Sequence, residues 1–229
     1  MGLLRKDRKE WHADQVAATW QAASVLMDYP DEDHPIEALR SVLPGLPPTA
    51  REGLGRFLDH REATDLGTLQ AEYVETFDTR RRCCLFLTYF LHGDTRKRGM
   101  ALLRFKQTYL AAGLALRDEE LPDHLCVVLE YGASVDPEGA RQLLQDHRAG
   151  LELLRLSLGD LDSPWAPVME AVSATLPPLQ GEEREAVRRL AAAGPPEEEV
   201  GLTPYAMPEV GSSGPVDLPM PTLPVRKGA

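Results

Sequence analysis

Cysteine and histidine side chains near the middle of the chain have the chemistry to bind a metal ion. They are Cys83, Cys84, Cys126, His92 and His124. Adjacent cysteines on a helix point about 100 degrees apart, so they rarely share one tetrahedral zinc or molybdenum ion. Three cysteines are also an odd number and do not make the disulfide framework of a secreted protein. We therefore interpret the cysteines as small apolar core residues and expect no metal site.

The same region allows an enzymatic alternative, a helical metal-dependent hydrolase that would use His92, Asp94, His124 and a cysteine. The serines of the chain lie in no Gly-x-Ser-x-Gly nucleophile elbow. No Walker-type glycine-rich loop with its Lys-Ser/Thr is present either. We therefore expect a protein that is not an enzyme and that holds no cofactor of its own.

Two basic clusters interrupt a chain whose formal net charge is −11. The clusters are Arg80, Arg81 and Arg82, followed by Arg96, Lys97 and Arg98. Such arginines would allow an anion or client contact, although an arginine run is more often a solvated face or a set of intramolecular ion pairs. The overall acidity argues against nucleic acid as a partner, because a phosphate-binding surface needs an excess of positive charge.

Apolar residues recur at intervals of three and four along most of the chain, which predicts helices. Val16, Trp20, Ala23 and Met27 form one such stripe in a helix that Pro30 should end. Asp65 is predicted to cap a helix whose stripe is Leu66, Leu69, Tyr73 and Phe77.

Later segments continue this helical pattern. Pro122 is predicted to lie in the first turn of a helix with Leu125, Val128 and Leu129. Asp136 and Pro137 predict the start of one helix that runs through His147 to Leu158. Helices are also predicted around residues 36–43, 51–60, 102–113, 165–176 and 182–193.

No segment alternates with a period of two over a convincing length, so we predict an all-α protein. Residues 1–194 are predicted to form a single compact multi-helix domain. The composition changes after Gly194, where eight of the 19 prolines lie in the last 35 residues. Such a segment cannot bury enough apolar surface to offset its ordering, so residues 195–229 are predicted to be a disordered Pro-rich tail.

The charged start of the chain, Met1 to Glu10, is followed by no apolar stretch typical of a signal peptide. No segment reaches the roughly 18 consecutive apolar residues of a spanning helix. We therefore expect a cytoplasmic protein that does not insert into the membrane.

Four motifs in order give a family resemblance. They are Leu26 to Asp31 with its Tyr-Pro-Asp, Tyr73 to Asp78, His92-Gly93-x-x-Arg96-x-Arg98-Gly99, and Glu120 to Leu125. In this order they resemble the NarJ-type nitrate reductase assembly chaperones, within the wider class of helical maturation chaperones for molybdoenzymes. The resemblance covers roughly residues 15 to 160. The Pro-rich tail lies outside it.

The resemblance implies a compact all-α chaperone domain whose activity is binding. Its partner would be the N-terminal segment of the catalytic (alpha) subunit of respiratory nitrate reductase. The chaperone would hold this segment while molybdenum cofactor is inserted, and would delay docking to the membrane subunit until assembly is complete. Molybdenum cofactor delivery proteins would be further partners.

The resemblance also implies where the client peptide binds, namely at Pro122, Asp123, His124 and Leu125, with Tyr73 and Phe77 as additional residues. In the sequence itself, Asp123 is explained by helix capping alone, and Tyr73 and Phe77 are most simply core residues. On the chaperone interpretation, Asp123→Ala should weaken peptide binding without unfolding the domain. A plain helical scaffold, in which all these residues are structural, predicts no affinity for a reductase segment.

Overall fold

Eleven α-helices build the part of the chain that the structure, a computed structural model, describes, namely residues 11–116 and 120–196. The predictions for residues 1–10 and for the tail beyond residue 196 lie outside the described residues. The helices are α1 (Ala13–Leu26), α2 (Ile36–Val42), α3 (Pro48–Ala63), α4 (Leu66–Tyr73), α5 (Tyr89–His92), α6 (Arg96–Ala111), α7 (Leu125–Ser134), α8 (Pro137–Asp146), α9 (Arg148–Asp160), α10 (Ala166–Thr175) and α11 (Gly181–Ala193).

The described residues contain no β-strand, and a lone antiparallel bridge joins Phe86 to His124. The all-α prediction is therefore confirmed for this part of the chain. No helix within it is both long enough and apolar enough to cross a bilayer.

Helix α1 is the central element of the core. Its predicted stripe, Val16, Trp20, Ala23 and Met27, is buried and packs chiefly against α7 and α10. Two buried indole N–H groups tie this region together: Trp20 Nε1 donates to Thr175 Oγ1 at 2.8 Å, and Trp165 Nε1 donates to the Leu26 carbonyl at 2.9 Å. Each tryptophan thus buries its ring without leaving its donor unpaired.

Two glycines let neighbouring helices approach closely. A Cβ atom on Gly132 of α7 would lie 2.6 Å from the Trp20 ring, and one on Gly53 of α3 would lie 2.5 Å from the Pro167 carbonyl oxygen. Both distances are shorter than carbon atoms tolerate. The helix pairs α1–α7 and α3–α10 therefore depend on residues that lack a side chain.

Caps at two helix starts agree with the sequence prediction. The Asp65 carboxylate accepts from the Thr68 backbone N–H, and Asp136 accepts from the N–H groups of Glu138 and Gly139. These hydrogen bonds satisfy donors that a helix start otherwise leaves unpaired, which explains why both helices begin where they do.

The predicted single helix that starts at Asp136 and Pro137 and runs to Leu158 is wrong, since the structure has α8 and α9 separated at His147. There the backbone leaves helical geometry, with φ −108° and ψ 20°. Apolar residues on both sides of the break still face the core, which is why the periodicity continued without interruption. A turn of π-helix, Val74–Asp78, likewise follows α4 where a regular helix was predicted.

The placement of Pro122 in the first turn of a helix is also wrong, because α7 begins at Leu125. Pro122 lies in a turn that the His124 N–H closes on the Leu121 carbonyl at 3.1 Å, and backbone pairing with an earlier segment holds the following residues in place. The Leu87 N–H donates to the Asp123 carbonyl at 3.0 Å, and the Leu125 N–H donates to the Leu85 carbonyl at 2.8 Å.

Candidate functional site

The short antiparallel pairing between residues 85–87 and 123–125 positions the predicted client-binding motif. Its two hydrogen bonds, together with the turn that the His124 N–H closes on the Leu121 carbonyl, fix Asp123 and His124 immediately before α7, so that the two side chains lie in different surroundings. Asp123 consequently points into the protein, whereas His124 lies beside a surface groove.

Asp123 is fully buried, with 0% of its side chain exposed. Its Oδ2 accepts from the Thr88 backbone N–H at 3.1 Å and from Thr88 Oγ1 at 2.5 Å, and Arg98 Nη2 lies 3.6 Å away. The carboxylate therefore connects the start of α5, the start of α6 and the start of α7. The expectation that Asp123→Ala leaves the domain folded is revised, because this change would leave a largely buried cation without its counter-charge and a buried hydroxyl without its acceptor.

The other residues of the predicted client site are mostly buried as well. Pro122 and Leu125 are covered, and Tyr73 and Phe77 lie against each other with ring centroids 4.7 Å apart. Both rings also contact Trp165 in the core. Of the six predicted residues, only His124 is half-buried rather than buried. The structure thus keeps Tyr73 and Phe77 apart from the groove, and the role of these residues in client binding stays a prediction.

A groove with a volume of about 460 Å³ runs between α1 and α7. We call it the α1–α7 groove. Its apolar lining comes from Val25, Phe86, Cys126 and Val127, with the half-exposed Leu121 at its edge. Apolar side chains on a concave surface provide a site for the apolar face of another helix.

Three carboxylates form the charged rim of this groove, namely Asp28, Glu120 and Glu130. All three are exposed, and none of the described residues that line the groove is a lysine or an arginine. The groove therefore combines an apolar floor with a negative rim, which favours a ligand that is both apolar and positively charged.

A smaller cavity of about 220 Å³ adjoins the α1–α7 groove and shares Glu120, Val127 and Glu130 with it. Its remaining lining includes Tyr109 and Leu114 near the end of α6. We call it the side cavity. Together the two spaces follow the outer face of α7 over its length.

Burial lowers the pKa of His124 below its ordinary value, and the nearby carboxylates Asp28, Asp123 and Glu120 oppose this effect only partly. His124 packs against Phe86 with ring centroids 5.1 Å apart. The imidazole is therefore neutral at pH 7, so it adds no positive charge to the acidic rim.

We expect the protein to lose stability between pH 7.5 and pH 5.5. Burial lowers the pKa of His124 and also that of His147, whose ring contacts Phe105. Below pH 6.5 the unfolded chain therefore binds protons that the folded chain does not, and the free energy of unfolding falls as the pH is lowered. Urea denaturation at the two pH values should show a lower midpoint at pH 5.5. A His124→Gln/His147→Gln variant should show a smaller difference between its two urea midpoints. If the variant and the original protein show the same difference, the two histidines are not the cause of the pH dependence.

The cysteines occupy apolar surroundings, as their sequence interpretation predicted. Cys83 and Cys126 belong to the buried core, and Cys84 packs against it. Burial raises the pKa of the Cys83 and Cys84 thiols to about 11 and raises that of Cys126 well above its ordinary value. Thiols of this kind are protonated at neutral pH and are poor nucleophiles. Within residues 11–116 and 120–196, no group of three His, Cys, Asp or Glu side chains is arranged to hold a metal ion.

Several arginines of the two basic clusters form intramolecular contacts. Arg80 pairs with Glu75 at 2.9 Å, Arg81 Nε donates to the Tyr89 hydroxyl at 2.8 Å, and Arg98 pairs with Asp94 at 3.1 Å. Arg82 and Arg96 are exposed. The clusters are thus partly ion-paired and partly solvated, and a contact with an anion or a client stays a prediction.

Sequence reasoning missed the rim carboxylates of the α1–α7 groove. Asp28 and Glu120 lie inside two of the motifs that were recognised, whereas Glu130 lies outside them. The available signal was the spacing of Val127 and Glu130 on the face of α7 opposite its most buried residues, Val128 and Leu129. That spacing predicts that Val127 and Glu130 face outward. It does not predict that α1 and Phe86 form a groove beside them.

Comparison with known proteins identifies the family to which this sequence is similar. The nitrate reductase delta subunit family matches residues 43–171. The chain is 40% identical over 156 residues to the nitrate reductase-like protein NarX of Mycobacterium tuberculosis, which covers 68% of this chain and 24% of that protein. The chain therefore spans about a quarter of the length of this relative.

Two further relatives are described as nitrate reductase molybdenum cofactor assembly chaperones. The probable chaperone NarJ of Bacillus subtilis is 31% identical over 166 residues, covering 69% of this chain and 88% of NarJ. NarJ of Escherichia coli strain K12 is 34% identical over 152 residues, covering 64% of each protein. Among solved structures, one described as a redox enzyme maturation protein from Archaeoglobus fulgidus superposes with a TM-score of 0.50 and 22% identity, over 76% of this chain and 93% of the other. This last similarity supports the fold.

Proposed function

Because the chain belongs to the nitrate reductase delta subunit family, we propose that it is an assembly chaperone that binds the N-terminal segment of the nitrate reductase catalytic subunit in the α1–α7 groove. Binding would keep the catalytic subunit open for molybdenum cofactor insertion and would delay its docking to the membrane until assembly is complete. The chaperone would act in the cytoplasm and would itself hold no cofactor and catalyse no reaction.

The single observation that carries this proposal is the combination of an apolar floor and an acidic rim in one groove. Val25, Phe86 and Val127 supply the apolar surface for one face of a short amphipathic helix. Asp28, Glu120 and Glu130 lie where lysine or arginine side chains at the edge of such a helix would meet them. The expected client segment is therefore helical when bound, apolar on one face and basic at the edges.

The size of the groove limits the length of the bound segment. Helix α7 has ten residues, which correspond to about 15 Å at 1.5 Å per residue. A client helix lying along it would make contact over about three turns. A segment of this length is marginal as an isolated helix in water, so it would fold as it binds.

The proposal predicts that reversing one rim charge weakens client binding. Calorimetric titration with a synthetic peptide of the catalytic subunit's N-terminus should show saturable one-to-one binding that a scrambled peptide lacks. Glu130→Lys should weaken this binding by about tenfold or more, because a cation of the bound segment then faces a cation on α7. Since the rim is exposed, the loss should be smaller at high salt.

A matched variant separates a local contact from a general charge effect. Glu185→Lys makes the same charge change on α11, which packs against α9 and lies outside the groove. It should leave the affinity within about twofold of the original protein, because exposed charges farther apart than a Debye length are largely screened. Equal losses in the two variants would remove the groove from the proposal. An original protein that fails to bind the peptide would overturn the client assignment itself.

A further inference from the structure

Helix α6 has a second apolar stripe that faces away from the core. Its inner face buries Phe105 and Tyr109, whereas Met100, Leu103 and Leu110 on the outer face are 71%, 47% and 61% exposed. Leu103 follows Met100 by three residues and Leu110 follows Leu103 by seven, so the three side chains lie in one row along the helix, with Gln107 between the last two. A row of large exposed apolar side chains marks a surface that another molecule covers.

Positive charge flanks this outer stripe. Helix α6 contains no acidic residue, and Arg96, Lys97 and Lys106 are exposed beside the apolar row. Among the described residues, no carboxylate lies within ion-pair distance of these three cations, whereas Arg104 pairs with Asp146. The outer face of α6 is therefore both apolar and basic in a chain whose net charge is −11.

This chemistry matches the ligand that the α1–α7 groove favours, which is both apolar and positively charged. We propose that the outer face of α6 of a second copy of this chain docks in the α1–α7 groove, so that the chaperone associates with itself through the site that receives its client. The inference rests on the proposed function, because it uses the same groove and the same rim carboxylates.

The dimensions of the two surfaces agree. From Met100 to Leu110 the stripe rises ten residues, or about 15 Å, which is about the length of the ten-residue helix α7. Three cations flank the stripe on α6, and three carboxylates form the rim of the groove, namely Asp28, Glu120 and Glu130. The outer face of α6 therefore matches the α1–α7 groove in length and in number of opposite charges.

The occupant must come from a second copy. Within one copy, α6 is anchored by Phe105 and Tyr109, and the Tyr109 hydroxyl donates to the Pro122 carbonyl at 2.7 Å, so its outer face cannot turn into its own groove. Direct pairing of two α6 helices would bring like charges together. Leu114 follows α6 and lines the side cavity next to the groove. Because the two surfaces adjoin, a two-fold arrangement lets each copy donate α6 and receive the other's α6.

This arrangement would make client binding and self-association mutually exclusive. A chaperone without client would cover its groove with the α6 of its partner, and the client segment would displace that helix. The apparent affinity for client would then fall as the concentration of the chaperone rises, because more of the groove is already occupied.

The test is a charge exchange followed by sedimentation velocity. One variant carries Lys97→Glu and Lys106→Glu, which makes α6 acidic. The other carries Glu120→Lys and Glu130→Lys, which makes the groove basic. We expect the original protein to show a concentration-dependent dimer, and each variant alone to associate at least tenfold more weakly, since like charges then meet. An equimolar mixture of the two variants should recover the dimer, because every interface again joins opposite charges.

Several results would overturn the inference. One is an original protein that stays monomeric at all accessible concentrations, and another is a mixture that fails to recover association although both variants retain the circular dichroism of the original. Undiminished association of a Met100→Ser/Leu103→Ser/Leu110→Ser variant would also overturn it. So would a monomer that sediments with phosphatidylglycerol vesicles, because the outer stripe would then be a lipid contact. Calorimetric titration with the client peptide tests the proposed function independently of self-association. A protein that stays monomeric but binds the peptide would contradict only the self-association.

Discussion

Asp123→Ala should lower the free energy of unfolding by about 3–5 kcal/mol, the range expected when one partner of a buried ion pair is removed. The carboxylate is fully buried, and Arg98 beside it is only 16% exposed. Alanine would leave the Arg98 guanidinium without this counter-charge and would leave the Thr88 hydroxyl and N–H without their acceptor. Urea denaturation followed by circular dichroism at pH 7.5 measures this loss directly.

Two further variants separate the buried carboxylate from its exposed neighbours. Asp123→Asn retains an oxygen acceptor for Thr88 but not the negative charge, so it should lose less than the alanine variant. Asp94→Ala removes the exposed partner of Arg98 and should cost less than about 1 kcal/mol. If Asp123→Ala unfolds at the same urea concentration as the original protein but binds the client peptide more weakly, Asp123 would be a client contact after all.

Trp165→Ala should be about equally destabilising, by roughly 3–5 kcal/mol, as expected for truncating a large buried aromatic residue. The ring is fully buried and contacts Phe57, Tyr73 and Phe77, with centroids 5.2 to 5.7 Å away. Alanine would open a cavity at the junction of α1, α3 and the π-helical turn, and it would leave the Leu26 carbonyl without the indole donor. Guanidinium denaturation should show the lower midpoint.

Trp165→Phe provides the control for this cavity. Phenylalanine keeps most of the ring volume but not the hydrogen bond to Leu26, so the loss should be clearly smaller than for alanine. Similar losses in the two variants would mean that the hydrogen bond rather than the cavity dominates. A Trp165→Ala protein as stable as the original would show that the aromatic cluster collapses around the gap.

Most helices could be predicted from the sequence because they depend on local signals. The stripe of α1 and the caps at Asp65 and Asp136 require only neighbouring residues, and the structure confirms them. The break at His147 could not be predicted, because the apolar period continues across it. The start of α7 at Leu125 rather than at Pro122 could not be predicted either, because the backbone pairing that positions residues 123–125 comes from residues 85–87, far away in the chain.

The candidate site was less predictable than the fold for a related reason. Motif reading located the segment from Glu120 to Leu125 but could not show which of its side chains points outward. Asp123 faces Thr88 and Arg98, whereas Glu120 and His124 face the groove. That groove depends on Asp28 of the first motif and on Phe86, so its rim is visible only once three distant segments are brought together.

The hydrogen bonds from the two tryptophans have a consequence for the order in which the chain folds. They join α1 to residues that follow it by 155 and 139 positions along the chain. During synthesis, α1 leaves the ribosome long before α7 and α10, which are its main packing partners. Part of its apolar stripe therefore stays uncovered until α10 has also emerged, at about residue 175. The native core closes around the first helix late, so the newly made chain passes through a stage in which apolar surface that will later be buried is still exposed.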